Sequence, residues 1–325
     1  MSDNDREQRT ARLVATLATV AAVLVLVVIA SSAWLRLSQS GLGCSDWPAC
    51  YGAFAKASGA VQAAPGTTAT NIDEIRAAHR VAASAAGIVI ALAAVLWLIG
   101  ERRQRGVTVI VVTLLAVTAF LALLGRYTAG ANAPAITLGN MLGGMVLLVL
   151  TWTLRAKLAV ADMPSAPRAL YWAARLVLLI LVLQVVGGGL VNAKYATLAC
   201  MTFPDCNGAW WPPTWSWAAF DPLYPLQAAS SDTAQALRQT LHFTHRYGAV
   251  LAMFGVVALA IAMGRSGGRL RADGAWIAGL LLLQIALGVG LIVAPPLLAL
   301  TVAHDVVAAL LLAAVAAAAY RINAR

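Results

Sequence analysis

Charge is what this sequence has least of. Only 11% of its 325 residues are charged, against 61% apolar, and the mean hydropathy is +0.80. Water-soluble domains carry roughly a quarter charged residues, so a chain this apolar has nowhere to put its surface except in lipid. Acidic residues are rarer still, 13 against 23 basic ones. No apolar stretch holds a pair of Asp or Glu, which leaves a transporter supported by fold class alone. The first apolar stretch is too long for a signal segment and shows no small-residue cleavage site before the polar Arg36–Gly43. It is expected to be a retained helix. Histidine and cysteine number four each, so their positions carry information.

What the sequence has in quantity is apolar length. A membrane span needs about 20 mostly apolar residues. Eight stretches qualify or come close, at about 13–35, 80–99, 107–124, 136–154, 170–190, 243–263, 275–294 and 297–319. The expected fold is all-α and integral to the membrane, with eight transmembrane helices as two pseudo-repeated four-helix bundles, 1–160 and 161–325. A net charge of +10 could suggest nucleic acid, but the charges are in the wrong places for it. With the N-terminus in the cytoplasm, 15 of the 23 basic residues fall on one side, in short loops and two tails. This is the positive-inside pattern. It predicts a multi-pass protein of the bacterial cytoplasmic (inner) membrane with both termini cytoplasmic, its partner the lipid bilayer and not nucleic acid. The basic residues left outside, among them Arg36, Arg76, Arg80, Arg126, Lys194, Arg238 and Arg246, run against the bias. Both long connections, about 36–78 and 191–241, fall on that outer side and contain all four cysteines.

The two halves repeat. Residues 41–52 (GLGCSDWPACYG) and 197–208 (TLACMTFPDCNG) share C-x-x-[WF]-P-x-C-x-G, after the first and fifth spans. A His-Arg pair opens the span that follows each loop, His79-Arg80 and His245-Arg246. The third and seventh spans end alike, at Gly125 and Gly288, and lead through proline to the next. Parallel repeats of this kind are common among membrane proteins. Trp210, Trp211, Trp215 and Trp217 cluster in the second long loop, as an aromatic belt at the headgroups or a ligand surface, with no independent soluble domain around them.

Histidine within a span is expensive and by default marks a function. His79 and His245 sit at the first turns of the second and sixth spans, and His304 about seven residues into the eighth, roughly 10 Å deep. Three imidazoles from even-numbered spans then occupy one outer layer. A pair of imidazoles from facing helices holds a low-spin b-type heme, and His245 with His304 is the natural pair; the bland alternative is capping or packing. Heme carries two propionates, and Arg forks onto carboxylate, which makes Arg36, Arg80, Arg126 and Arg246 candidates unless they merely snorkel. His242 lies one turn from His245 on the same face, where it caps the helix or bonds a propionate. Cys44 and Cys50, like Cys200 and Cys206, are six apart. An extracytoplasmic location favours two intra-loop disulfides, with a redox role left open.

Taken together these landmarks resemble the heme A synthase family. The resemblance covers nearly the whole chain and is most specific at Ser40-Gly41-Leu42-Gly43-Cys44-Ser45-Asp46-Trp47-Pro48-Ala49-Cys50-Tyr51-Gly52. It implies oxidation of the C8 methyl of heme O to a formyl group, giving heme A for cytochrome oxidases. It also implies that His245 and His304 hold a permanent heme b, with His79 facing substrate heme O in the N-terminal half. Heme O synthase and a membrane electron acceptor such as quinone are the partners it suggests. Two positions depart from the family pattern. Asn140 stands where a second His is usual, and Arg76 where Glu is common, with Glu74 two residues earlier and on another face. Either an iron in the N-terminal half has one protein ligand and an open position, or that half has a different role. Two other functions compete: a heme b electron-transfer or assembly protein that oxidises nothing, and a thiol oxidase, whose sites usually favour C-x-x-C and which leaves the histidines unexplained.

Overall fold

The computed structural model describes residues 3–40, 69–100, 104–127, 133–159, 165–224, 231–294 and 298–324. Eight long helices run through these segments: α1 (Asp3–Ser40), α2 (Ala69–Leu98), α3 (Arg105–Tyr127), α4 (Pro134–Ala159), α5 (Arg168–Ala193), α6 (Ser231–Ser266), α7 (Gly268–Val293) and α8 (Leu298–Arg321). Each is long and apolar enough to cross a membrane. The chain is a multi-pass membrane protein.

Burial shows why these helices need lipid. On α2, Ala86, Ile90, Ala93 and Trp97 are buried, while Val81, Ile88, Leu92 and Val95 on the opposite face are exposed. A helix apolar on both faces either fills a core or faces lipid, and α2 does both. The exposed side of α6, with Val250, Leu251, Phe254 and Ile261, repeats the pattern.

In the first half α1 packs on α2, α2 on α3, α3 on α4 and α4 back on α1; in the second, α5, α6, α7 and α8 close a ring in the same order. The rings meet where α8 touches α1 and α4, and α4 touches α5. Helix α8 is the most enclosed of the eight. Its Ala309, Ala313, Ala317 and Ala318 are buried, and small side chains let helix backbones approach closely without lipid between them. At the end bearing the termini, Ser165–Ala166 (β1) pairs in parallel with Asn323–Ala324 (β2). Beside it Arg321 bonds Asp273 at 2.8 Å. The all-α expectation holds apart from this two-residue pairing.

The helices overrun their apolar stretches, which corrects one expectation. His79 and His245 are not in first turns: α2 begins at Ala69 and α6 at Ser231, so the histidines lie about three and four turns in. Hydropathy marks only the lipid-embedded part, whereas helical hydrogen bonding continues through polar residues as far as water and headgroups solvate the end. At 38 residues, α1 is roughly 57 Å long, well beyond an apolar layer of about 30 Å.

Candidate functional site

A cavity of about 520 Å³ opens inside the second ring, closed on one side by Met141 and Met145 of α4. That size falls within the roughly 300–1,000 Å³ typical of cofactor sites. His245 of α6 and His304 of α8 both line it, with His242, Arg246 and Asp305. The chain separates the two histidines by 59 residues; the ring of helices brings them to one space.

Each of these two histidines is built in the same way. Gln184 on α5 places its amide nitrogen 3.0 Å from Nδ1 of His245 and 2.9 Å from the His245 carbonyl. Gln284 on α7 places its amide nitrogen 3.3 Å from Nδ1 and 3.1 Å from Nε2 of His304. One turn beyond each glutamine is a glycine. A Cβ on Gly188 would stand 2.9 Å from Cε1 of His245, and one on Gly288 would stand 3.2 Å from Cε1 of His304. The glycines therefore make room for the rings. Sequence reading missed both glutamines, although a lone amide in an apolar span, four residues before a glycine, was a signal to follow.

Three buried polar atoms lining this cavity have no hydrogen-bond partner among the described residues: His242 Nδ1, Arg246 Nε and Gln284 Oε1. Buried polar groups are nearly always satisfied, so these three leave polar capacity for a guest in the cavity. The rest of the wall is apolar, with Leu181, Val185, Ile285 and Leu311. A flat apolar ring system with carboxylates at one edge fits the nitrogens of His242 and Arg246, and the imidazoles of His245 and His304 suit its centre. Such a guest brings its own equatorial ligands and asks for no cage of protein ones. Among the described residues, no three His, Cys, Asp or Glu side chains group closely enough to hold a bare metal ion.

The candidate arginines divide. Arg246 spends its terminal nitrogens on the cysteine loop, bonding the carbonyls of Cys200 at 3.0 Å, Thr202 at 2.9 Å and Asp205 at 2.5 Å. Arg36 pairs with Asp305 at 3.0 Å, both side chains almost enclosed, and Asn192 donates to the same carboxylate at 3.0 and 3.2 Å. That cluster ties α1 of the first ring to α5 and α8 of the second, at the cavity wall. Arg80 and Arg126 are exposed on α2 and α3. His79 is half-buried, its Nδ1 3.0 Å from the Ser31 hydroxyl of α1. Asn140 is exposed on α4, and where α7 and α8 carry Gln284 and His304, Leu121 and Leu124 of α3 pack against Gly143 and Gly139. None of His79, Arg80, Arg126 and Asn140 lines the cavity.

Cys200 and Cys206 form a disulfide, with Cα atoms 4.6 Å apart; Cys44 and Cys50 lie outside the described residues. Asn207, at positive φ, ties the loop by bonding Met201 N and Ala199 O, both at 2.9 Å. Lys194, enclosed at the end of α5, donates to the carbonyls of Ala218 and Asp221 at 2.8 and 2.6 Å; burial lowers its pKa. The Thr202 hydroxyl, then the Gly208 N–H and the Arg246 charge, hold the Asp205 carboxyl below its ordinary range. A depressed acid stabilises its fold above the unfolded pKa and loses that contribution as pH falls through the folded one. The Cys200–Cys206 bond is therefore expected to become more open to a phosphine reductant in acid. Asp205→Asn should flatten that pH dependence, as read by thiol labelling after timed reduction.

The COX15-CtaA family, described as cytochrome oxidase assembly protein, matches residues 15–316. The chain belongs to this family. The heme A synthase of Shewanella oneidensis is 30% identical to it over 311 residues, covering 89% of this chain and 91% of the relative. Within the COX15-CtaA match lie all four histidines and both cysteine loops. The family membership therefore covers both rings of helices.

Proposed function

We propose that the protein is a heme A synthase, an oxidoreductase that converts the C8 methyl of heme O to a formyl group for cytochrome oxidase assembly. The observation that carries this reading is the cavity with His245 and His304 on its wall, in a chain of the COX15-CtaA family. His245 and His304 would hold heme b, while His242 and the free edge of Arg246 would receive its carboxylates. Bound there, heme b supplies reversible electron transfer. The chain's own work is to hold the ring plane through Gly188 and Gly288, and to exclude water with the apolar wall.

His79 would face heme O in the first ring. Its Nδ1 is engaged by Ser31, which orients the imidazole and leaves Nε2 for the substrate iron. Exposure of Asn140 fits an open position opposite His79, which suits oxidation better than a closed pair of imidazoles. Turning the methyl into a formyl group takes one oxygen atom, supplied by water, and releases four electrons and four protons, which two molecules of a membrane quinone would accept as quinol. The cysteine loops belong on the outer side and the termini in the cytoplasm. Membranes containing the protein, given heme O and a quinone analogue, should yield a pigment with the mass of heme A. A non-catalytic heme b protein draws on the same cavity, and would return heme O unchanged.

A further inference from the structure

The most repeated piece of construction in the molecule is not a histidine but what stands behind each one. Gln184 and Gly188 on α5 face His245, and Gln284 and Gly288 on α7 face His304. Residues four apart share a helix face, so each imidazole lies against a neighbouring helix with a glycine under its Cε1 edge and an amide at its nitrogens. We propose that Gln184 and Gln284 are positioning residues for the two cofactor histidines: Gln184 fixes the plane of His245, while Gln284 fixes the plane and the proton of His304 and so sets the reduction potential of the heme. This rests on the heme b reading above.

The physical reason begins with the tautomer. A histidine that offers Nε2 to iron keeps its proton on Nδ1, and that N–H needs an acceptor. A side-chain amide can supply one, because a half-turn exchanges its oxygen and nitrogen at nearly constant shape. The Gln184 amide nitrogen stands 3.0 Å from Nδ1 and also donates to the His245 carbonyl at 2.9 Å, so Gln184 anchors the ring to α5 as a donor and is not that acceptor. Gln284 has its amide within 3.3 Å of both ring nitrogens, and its Oε1 has no other partner among the described residues. Accepting from Nδ1–H makes the imidazole a stronger donor to iron, which favours the oxidised metal and lowers the potential.

Packing alone does not explain the pair. An amide in an apolar span costs desolvation that leucine would not, and the first ring shows leucine in the matching place. Gly125 and Gly288 end corresponding runs, so Leu121 corresponds to Gln284, and Leu121 packs directly on Gly143. His79 has the Ser31 hydroxyl at its Nδ1, and that hydroxyl is already bonded to the Val27 carbonyl at 2.7 Å. The amide device belongs to the ring with two histidines on one cavity.

The test uses the full chain, purified with its heme, and measures heme content and the midpoint potential by redox titration. Gln284→Met keeps the shape and removes the acceptor, so it should raise the potential; Gln184→Met removes the anchor of His245 and should lower heme content. Gln284→Glu keeps an acceptor oxygen and should hold the potential at or below that of the unaltered protein. Heme lost from Gln284→Met but kept by Gln284→Glu also supports the role of Gln284. An unmoved potential with full heme in Gln284→Met overturns that role, as does equal loss of heme, or an equal rise, in Gln284→Met and Gln284→Glu; full heme in Gln184→Met overturns the role of Gln184. Unaltered protein that purifies without heme b overturns the cofactor reading itself, and the pair's role with it.

Discussion

Replacing His245 or His304 by alanine should strip most of the b-type absorbance from the purified protein while leaving the chain folded. The two imidazoles share one cavity, and among the described residues no other imidazole except His242 lines it. Outer partners of metal ligands are worth roughly 10–100-fold in metal affinity, so loss of a ligand itself should leave about tenfold less heme per chain, or worse. Folding should survive, because α8 packs on α1, α4, α5 and α7 and much of its core face, Ala309, Ala313, Val315 and Ala318 among it, does not line the cavity. Dithionite-reduced difference spectra of the two variants, with size-exclusion profiles beside them, check this. His242→Ala should cost less, since its Nδ1, partnerless among the described residues, would receive a carboxylate of the heme and not its iron. Full heme and an unchanged low-spin spectrum in both ligand variants would refute the pair.

His79→Ala should behave in the opposite way, abolishing heme A formation and keeping heme b. The division follows from architecture: His79 is held by Ser31 of α1, in the ring that does not contain the His245–His304 cavity. Arg36 of the first ring bonds Asp305 of the second, whereas the His79 imidazole bonds within its own ring. Loss of product should therefore exceed about a hundredfold, on the scale of removing a metal ligand, with the heme b spectrum unmoved. Spectra and extracted pigments from one preparation measure both halves of the prediction. Full heme A production by His79→Ala would make the first ring a scaffold.

Much of this was legible before any coordinates. Apolar length located all eight spans, because lipid imposes that length on any helix crossing it. The spacing of Cys200 and Cys206 anticipated their disulfide. The even-numbered spans grouped His245 with His304, and the two line one cavity. What stayed hidden were contacts without local pattern. Arg36 and Asp305 are 269 residues apart, and nothing in either neighbourhood names the other. Asp305 was nonetheless a charge in a span, beside His304, and the rule that such charges are functional or paired would have flagged it. The terminal nitrogens of Arg246 go to loop carbonyls, a role that depends on how the loop folds back and that no spacing encodes. Helix ends were misjudged because hydropathy measures solvent preference and not backbone conformation.

The central claim, oxidation of heme O by this chain, is tested most directly by one extraction. The protein is expressed with heme O synthase in a host that makes no heme A, and the pigments are separated and weighed by mass spectrometry. Heme A alongside retained heme b is the result the account predicts; heme O and heme b without any heme A would contradict it.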